Sequence, residues 1–289
     1  MKCAMVILNY KDSQRARKLA EACSEYKCID KIVVVDNDSQ DGSYESLKEI
    51  RNEKIEILKA QKNKGFSAGN NVGAKYIYEK YDPQYIFFAN TDAFFPEENL
   101  IACMTALEEN DDLGLVSSKM LGPDGKEQNC FYDFPTYKTY MQGMFWINRK
   151  KHYNKVIKER TLEKQLEYVD IVRGSFMFFK MRALQQAGFF DENTFLYCEE
   201  TIIAERLKRA GYKVGLLTRI HYIHDHWEAK TNPSITATKR LYDSRYYVAV
   251  HYWKINGLQK ILMKICMKYS IGESWLIDKL KKLRRGNNK

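Results

Sequence analysis

Three acidic residues lie at positions where a carboxylate could bind a metal ion or accept a proton. Asp92 follows a buried-strand pattern, and Glu199 and Glu200 precede a helical pattern. A carboxylate at a strand end can hold Mg²⁺ or Mn²⁺ against a diphosphate, and a carboxylate beside an acceptor hydroxyl can take its proton. Each also has a structural interpretation: a turn or helix cap for Asp92, and helix N-terminal acids for the glutamates.

The histidines cluster in a way that suggests a metal ligand. His221, His224 and His226 lie with Asp225 within six positions, in a chain that holds five histidines. Zinc is the rival metal, but the seven cysteines form no Cys-x-x-Cys pair and no His-Glu-x-x-His helix is present. We therefore expect coordination of a hard metal, shared with Asp92.

A glycine-containing stretch, residues 62–70, lies between a strand pattern and a helical pattern. Gly65 and Gly69 would allow the backbone to approach a phosphate, and a helix N-terminus would add positive potential there. As an isolated glycine pattern, the same stretch is also a plain strand-to-helix turn.

Alternating strand and helix patterns must position these residues. The predicted strands of the first half are residues 3–8, 32–35, 55–58 and 85–89. Four strand-then-helix units predict a parallel, doubly wound α/β sheet. Ligands of such sheets bind beyond the carboxyl ends of the strands. We therefore expect Asn9, Asp36 and Asp92 to line one crevice.

The second half of the chain has weaker patterns. Residues 130–168 are aromatic and basic, and we interpret them as an excursion that covers or selects a substrate. Further predicted elements are strands at 168–172, 176–179 and 213–217 and a helix at 201–210. Without an internal repeat or linker, the prediction is one domain over residues 1–256, with a nucleotide-binding part at about 1–125 and an acceptor-binding part at about 126–256.

Composition and charge narrow the class of partner. The 289 residues are 45% hydrophobic and 29% charged, which is ordinary for a globular protein. The net charge of +10 favours anionic partners, but nine Lys or Arg lie within residues 260–289 and no nucleic-acid-binding signature is present. No run of about 18 apolar residues and no signal pattern are found, so we expect a cytoplasmic protein that does not bind nucleic acid.

Four motifs in order resemble the family 2 glycosyltransferases, and the closest subgroup is the bacterial rhamnosyltransferase-like enzymes. The motifs are VDNDSQDGS at 35–43, NKGFSAGNNVG at 63–73, NTD at 90–92, and FFD at 189–191 followed by LYCEE at 196–200. The resemblance runs from about residue 3 to 217 and more loosely to 253. It implies a GT-A fold and inverting transfer by direct displacement at the sugar carbon.

The resemblance also implies roles for individual residues. Asp36 should contact the nucleoside, while Asp92 and His224 should hold Mn²⁺ or Mg²⁺ against the diphosphate. Glu200, or its neighbour Glu199, should accept the acceptor proton. The donor-binding residues implied are Asn9, Asp36, Asn37, Lys64, Gly65, Asn70 and Asn90.

Two departures from the family pattern affect these roles. The usual Glu-Asp pair is Glu199-Glu200 here, and an acid common two positions further on is Ile202. The longer side chain can shift the base, and Ile202 removes a charge that could orient the acceptor. A catalytically inactive saccharide-binding relative is therefore the alternative to an enzyme.

The resemblance favours dTDP-rhamnose as the donor, with UDP-hexoses or UDP-galactofuranose as alternatives. It implies a saccharide acceptor, carried on a polyprenyl diphosphate, in bacterial surface polysaccharide synthesis.

Other classes of nucleotide-binding enzyme fit this sequence less well. A nucleotide-sugar pyrophosphorylase or a dinucleotide dehydrogenase needs glycines after the first strand, and residues 9–12 contain none.

The C-terminal segment, residues 257–289, repeats apolar side chains at helical spacing among basic ones. The apolar residues are Leu258, Ile261, Leu262, Ile265, Trp275, Leu276, Leu280 and Leu283. This pattern suits a helix lying on an anionic membrane surface, or a helix that packs on the domain through the same stripe. Because the expected acceptor is lipid-linked, we predict peripheral association with the inner face of the cell membrane.

Overall fold

The computed structural model describes residues 1–144, 162–225 and 234–286. The strands in these ranges are β1 Cys3–Asn9, β2 Lys31–Asp36, β3 Ile55–Lys59, β4 Tyr85–Ala89, β5 Ala93–Phe94, β6 Leu113–Leu121, β7 Glu127–Gln128, β8 Phe131–Tyr132, β9 Leu166–Val169, β10 Ile171–Val172, β11 Phe176–Lys180 and β12 Lys213–His224. The helices are α1 Ser13–Ser24, α2 Ser43–Lys48, α3 Phe66–Tyr81, α4 Glu97–Glu109, α5 Tyr137–Met144, α6 Met181–Gln186, α7 Glu199–Arg209, α8 Ile235–His251 and α9 Gly257–Gly286.

The main sheet is mostly parallel, which confirms the predicted α/β class. Its order is β3-β2-β1-β4-β11-β6-β12-β5. Strands β1 to β4 pair in parallel, β11 runs antiparallel to β4 and β6, and β6 and β12 are parallel again. The carboxyl ends of β1, β2 and β4 therefore meet at one edge of the sheet.

The centre of the sheet is built from aromatic side chains of β4 and β11. The sequences of both strands are nearly continuous apolar runs, as expected for strands that are covered on both faces. The ring of Phe87 lies 4.6 Å from that of Phe176 and 5.5 Å from that of Phe178. Such ring pairs add to the stabilisation from burial. This packing fixes the loops that follow β4 and precede β11.

A second apolar core lies beside the sheet, where α5, α7, α8 and α9 meet. Its buried members are Tyr140, Met144, Cys198, Ile202, Tyr242, Val248, Ala249, Ile255, Met263 and Met267. Ile202 is 1% exposed in this core. A carboxylate there would be buried among apolar groups, at a large cost in desolvation, so this core suits Ile202 and not an acid.

Helix α9 packs on the domain through a face that the sequence analysis did not select. The Ser270 hydroxyl donates to the Met144 carbonyl at 2.6 Å and lies 2.6 Å from the Tyr242 hydroxyl. Leu258 and Ile265, by contrast, are 67% and 58% exposed. The interpretation in which α9 packs through that stripe is therefore wrong for residues 258–276.

Two further observations concern the C-terminal segment. Among the residues that the structure describes, no helix is long and apolar enough to cross a membrane. The side chains of Leu280 and Leu283, which the sequence analysis included in the stripe, lie outside the described part.

Several elements differ from their sequence prediction. Strand β6 and helix α8 had no predicted counterpart, and the strand predicted at 213–217 continues to His224. A register irregularity between Leu217 and His221 separates its two pairing segments on β6. Helix α7 begins at Glu199 rather than at Thr201, so both glutamates lie in its first turn.

Candidate active site

The ends of β1 and β2 hold a buried carboxylate in a fixed position. The parallel register sets Asn9 opposite Asp36, and both side chains are at most 1% exposed. The Asn9 amide donates to Asp36 Oδ1 at 2.8 Å. The hydroxyl and backbone N–H of Ser39 donate to the same carboxylate at 2.6 and 3.1 Å. A carboxylate has about four acceptor positions, and these three bonds leave one of them on Asp36.

The stretch around Gly65 places the backbone directly against another loop, in a conformation that favours glycine. Gly65 has φ +102°, and a Cβ there would lie 2.0 Å from the Phe195 carbonyl oxygen. The same carbonyl accepts a hydrogen bond from the Phe66 N–H at 2.9 Å. Close contact with residue 195 therefore requires glycine at position 65. The predicted approach of the Gly65 backbone to a phosphate stays a prediction. Lys64 beside it is exposed.

The asparagines predicted to bind the donor tie loops together. The Asn37 amide donates to the Gly65 carbonyl at 3.2 Å, so it holds the loop after β2 against the start of α3. The Asn70 amide donates to the Phe66 carbonyl one turn earlier at 3.1 Å. Both side chains are buried, and their proposed contacts with a nucleotide remain predictions.

Asn71, which sequence reasoning passed over, joins two of the motifs. Its amide donates to the Phe190 carbonyl at 2.9 Å and to Glu192 Oε1 at 2.8 Å. Its carbonyl oxygen accepts the Phe190 N–H at 3.1 Å. Burial of Asn71 requires such partners, but the sequence alone does not show that this side chain is buried.

Asp92 and His224 meet because β5 pairs antiparallel with β12. The register sets His224 opposite Ala93, directly after Asp92. His224 Nε2 lies 3.2 Å from Asp92 Oδ1, and the side chains are 15% and 13% exposed. The Asp225 N–H donates to the Asp92 carbonyl at 2.9 Å, which fixes the two segments.

The other candidates of the histidine cluster do not join this pair. His221 is exposed, whereas Tyr222 beside it is buried, as the alternation of a strand requires. Its side chain therefore lies on the opposite face of β12 from that of His224. His226 lies outside the described residues.

The Asp92–His224 pair suits a hard cation whose coordination shell is completed by a bound ligand. Mg²⁺ and Mn²⁺ are commonly held by one or two protein side chains, with substrate phosphates and water completing the shell. The described residues contain no group of three or more His, Cys, Asp or Glu that could hold a metal without such help. Asp92 and His224 are therefore suited to a cation that arrives with a diphosphate.

Glu200 lies in the first turn of α7 and contacts the segment that precedes β11. Its Oε1 accepts the Gly174 N–H at 3.2 Å, and a Cβ on Gly174 would lie 3.1 Å from that oxygen. Ser175, the next residue, accepts the Asn90 N–H on its carbonyl at 3.1 Å. Two consecutive residues therefore connect Glu200 with the loop that carries Asp92.

Glu199 has a different environment from its neighbour. It is 8% exposed, and burial, with the charge of Glu200 as the second cause, raises the pKa of its carboxyl to about 8. Its Oε2 has no hydrogen-bond partner within the described ranges. A carboxyl that stays protonated near pH 7 is a poor proton acceptor, so of the two glutamates Glu200 is the better suited to accept a proton.

Residues 5–187 match the family described as Glycosyl transferase family 2. The chain belongs to this family. Asn9, Asp36 and Asp92 lie inside the matched residues, whereas Glu200 and His224 lie beyond them. The predicted family is therefore confirmed, while the roles of single residues depend on the geometry above.

Two relatives of this family 2 chain have hexosyl- or rhamnosyltransferase names. The low-salt glycan biosynthesis hexosyltransferase Agl10 of Haloferax volcanii is 24% identical over 225 residues, which are 77% of this chain and 66% of that protein. The rhamnosyltransferase WbbL of Escherichia coli is 27% identical over 203 residues, which are 63% of this chain and 74% of that protein. This chain thus spans slightly less than two-thirds of the length of Agl10.

Solved structures share the fold at lower identity. TarS of S. aureus, residues 1–349, has a TM-score of 0.57 at 15% identity, over 92% of this chain and 69% of that chain. The mannosyltransferase PcManGT of Pyrobaculum calidifontis, solved with GDP-Man and Mn²⁺, has a TM-score of 0.58 at 12% identity, over 95% and 73%. These likenesses confirm the predicted GT-A fold.

The loop before α7 of this family 2 chain is held in an uncommon conformation. Tyr197 and Cys198 have φ of +75° and +68°. Such values are uncommon for residues other than glycine and are found where the surrounding structure enforces them, often at functional sites. They set the direction of the helix turn that bears Glu199 and Glu200.

Asp191 anchors the start of the segment that leads into α7, and sequence reasoning had given it no role. Its Oδ2 accepts hydrogen bonds from the hydroxyls of Tyr252 and Tyr247 at 2.6 and 3.1 Å, and it pairs with Arg206 at 2.9 Å. Because Arg206 belongs to α7, this buried carboxylate ties the loop to the helix of the glutamates.

Proposed function

We propose that the chain transfers a sugar from a nucleotide-sugar donor to a saccharide acceptor hydroxyl, with inversion at the anomeric carbon. One observation carries this proposal. Gly174 donates its N–H to the half-buried Glu200 carboxylate, and Ser175 accepts the Asn90 N–H, so two consecutive residues join Glu200 to the loop that carries the Asp92–His224 pair. A base and a diphosphate site joined in this way suit glycosyl transfer.

The donor nucleotide would lie along the ends of β1 and β2. Neighbouring strands are about 4.8 Å apart, so Asp36 at the end of β2 lies roughly two strand spacings from the end of β4. A nucleoside held by Asp36 can then extend its diphosphate towards Asp92. TarS, which shares the fold, has been solved in complex with UDP-GlcNAc, and this supports the proposal.

Asp92 and His224 would hold the Mn²⁺ or Mg²⁺ that accompanies the donor. When bound, such a cation offsets the negative charge that develops on the leaving diphosphate. The 3.2 Å between His224 Nε2 and Asp92 Oδ1 is close to the separation of about 3 Å between neighbouring ligands in an octahedral shell. The Mn²⁺ in the PcManGT complex supports this assignment.

Glu200 would act as the general base. The acceptor hydroxyl gives its proton to the Glu200 carboxylate as its oxygen forms a bond to the anomeric carbon. The bond from that carbon to the diphosphate breaks on the opposite face, so the configuration inverts. The Gly174 N–H orients one carboxylate oxygen, and the other stays available to the acceptor.

The two relatives suggest the donor and the setting. Similarity to the rhamnosyltransferase WbbL supports rhamnose as the transferred sugar, and similarity to the hexosyltransferase Agl10 keeps other hexoses in consideration. We therefore favour dTDP-rhamnose as the donor, with UDP-hexoses and UDP-galactofuranose as alternatives. We extend the proposal to an acceptor on a polyprenyl diphosphate carrier, used in surface polysaccharide synthesis at the inner face of the membrane. Part of the stretch expected to select the sugar, residues 145–161, lies outside the described residues.

A panel of nucleotide sugars tests the proposal. The protein is mixed with each donor, with Mn²⁺ and with a mixture of saccharide acceptors, and release of the nucleotide diphosphate is measured. Acceptor-dependent release from one donor, strongest with dTDP-rhamnose, is expected. Donor binding without release from any donor would instead indicate the inactive saccharide-binding relative.

A further inference from the structure

Helix α9 has two opposite apolar faces, and the domain covers one of them. Met263, Met267 and Ser270 are at most 9% exposed and contact the second core. At 3.6 residues per turn, Leu258 and Ile265 lie about half a turn away from Met267 around the axis. The helix therefore presents a complete second face to solvent.

This second face, which we call the outer stripe, is a row of large exposed side chains. Its members and exposures are Leu258 67%, Ile261 59%, Leu262 44%, Ile265 58%, Tyr269 59% and Leu276 51%. From Leu258 to Tyr269 they recur at spacings of three and four residues, and Leu276 follows about two turns after Tyr269 on the same face. Soluble monomers rarely expose a contiguous apolar surface of this length, and such surfaces usually mark a binding site.

Basic side chains border the outer stripe. Lys264 and Lys268 each follow a stripe residue, Ile261 and Ile265, by three positions and so lie along its edge. Residues 257–286 carry eight Lys or Arg against Glu273 and Asp278. Trp275 is 52% exposed near the far end of the stripe. Apolar residues with tyrosine, tryptophan and lysine at their edge are typical of helices at a membrane interface.

We propose that the outer stripe binds the surface of an anionic lipid bilayer, with α9 lying parallel to that surface. The charges decide between this occupant and a second copy of the chain. Two stripes packed together would bring their bordering lysines close, and like charges repel, whereas anionic headgroups attract the same lysines. The apolar side chains then enter the boundary between headgroups and acyl chains.

Docking through the outer stripe would also orient the active site. The inward face of α9 shares the second core with Cys198 and Ile202, which flank the two glutamates in sequence. The bilayer surface therefore lies on the side of the molecule that carries Glu200. This consequence, which rests on the proposed function, places the base near lipid-linked acceptors, while binding of the stripe to lipid does not depend on it.

Co-sedimentation with vesicles tests the lipid site without any donor. The full chain is mixed with vesicles of phosphatidylcholine alone or with about one-third phosphatidylglycerol, at low salt. We expect binding to the anionic vesicles at least tenfold tighter than to the neutral ones. Basic residues near an anionic surface contribute about fivefold each, an attraction that salt screens, so binding should weaken as salt rises.

Variants assign the binding to the outer stripe. Joint Ile261→Asn and Ile265→Asn substitutions should weaken vesicle binding about tenfold or more. Ile101→Asn is the matched control, because Ile101 is 47% exposed on α4, and it should bind like the unchanged protein. Lys264→Gln with Lys268→Gln should weaken only the binding to anionic vesicles. Lys18→Gln with Lys27→Gln, exposed lysines of the nucleotide half, should not weaken it.

Three results would overturn the proposal: no preference for anionic vesicles, unchanged binding of the Ile261/Ile265 variant, or a dimer in sedimentation velocity that this variant abolishes. The last would identify a second copy as the occupant. Nucleotide release with a water-soluble acceptor should be the same in the stripe variants and the unchanged protein. Vesicle binding tests the lipid site and nucleotide release tests the proposed transferase activity, so the failure of one proposal can be distinguished from the failure of the other.

Discussion

The two sides of the crevice differ in how their polar groups are satisfied. On the side proposed to bind the donor, here called the donor side, Asn9, Asp36 and Ser39 bond to one another without a ligand. On the side proposed to bind the acceptor, here called the acceptor side, Glu199 is buried with an unbonded oxygen among the described residues, and the residue before it has a positive φ. The donor side is a preformed platform, whereas the acceptor side stores strain beside the proposed base. Binding and proton transfer should therefore be separable by mutation.

The largest expected effect separates the two adjacent glutamates. Glu200→Gln should lower the rate of transfer by about 10³-fold, because a positioned base contributes 10²- to 10⁴-fold, while donor affinity changes by less than about twofold. Glu199→Gln, which keeps a neutral side chain of the same shape, should retain most of the rate. Steady-state kinetics and calorimetry with donor and Mn²⁺ measure both. Full activity of Glu200→Gln would move the base elsewhere.

The next effect lies on the donor side. Asp92→Ala should weaken Mn²⁺-dependent donor binding by about 100-fold, roughly 2.7 kcal/mol, and His224→Ala by about tenfold, because each removes a cation ligand. His221→Ala is the matched control, since that side chain is exposed on the other face of β12. Calorimetry with and without Mn²⁺ is the measurement. Equal losses in the two histidine variants would contradict the assignment of His224.

A third prediction concerns the contact between Gly65 on the donor side and Phe195 in the segment before α7. Gly65→Ala should destabilise the fold by about 3 kcal/mol, because the new Cβ would overlap the Phe195 carbonyl and the backbone conformation is restricted to glycine. Gly42→Ala, at φ +84° with no atom within 4 Å, should cost only about 1 kcal/mol. Urea unfolding compares the two. Similar losses would show that contact with residue 195 is not what requires glycine.

The last predicted effect is a change in pH dependence. Because the pKa of Glu199 is raised from 4.5 to about 8 in the folded chain, the folded state keeps a proton that the unfolded state loses above about pH 4.5. The free energy of unfolding should therefore fall as pH rises from 5 to 8, by up to about 1.4 kcal/mol per pH unit. Glu199→Gln should flatten this slope. Urea unfolding at pH 5, 6.5 and 8 measures it, and an unchanged slope would show that Glu199 ionises normally.

The donor side could largely be predicted from the sequence, because its residues follow directly after apolar strands. Strand patterns fix which edge of the sheet Asn9, Asp36 and Asp92 occupy, and each lies within three residues of its strand. The partner of Asp92 was harder to predict. His224 reaches it only because β12 continues past an irregularity and pairs with β5, and local patterns do not reveal such a pairing.

The acceptor side depends on long-range contacts that local sequence patterns do not show. The network of Asp191, Arg206 and Tyr252 joins residues up to 61 positions apart. Likewise, α9 carries apolar residues on two faces, and periodicity alone could not tell which face the domain covers. The stripe that stood out in the sequence is the exposed one.

The central claim is that Asp92, His224 and the donor diphosphate share one cation. Pulsed electron paramagnetic resonance of bound Mn²⁺, recorded with the donor that the panel selects, tests it directly. The account predicts a nitrogen coupling from one imidazole and a phosphorus coupling from the diphosphate in the same species. His224→Gln should remove the nitrogen coupling and His221→Gln should leave it. A phosphorus coupling with no nitrogen coupling, or a nitrogen coupling that survives in His224→Gln, would contradict the claim.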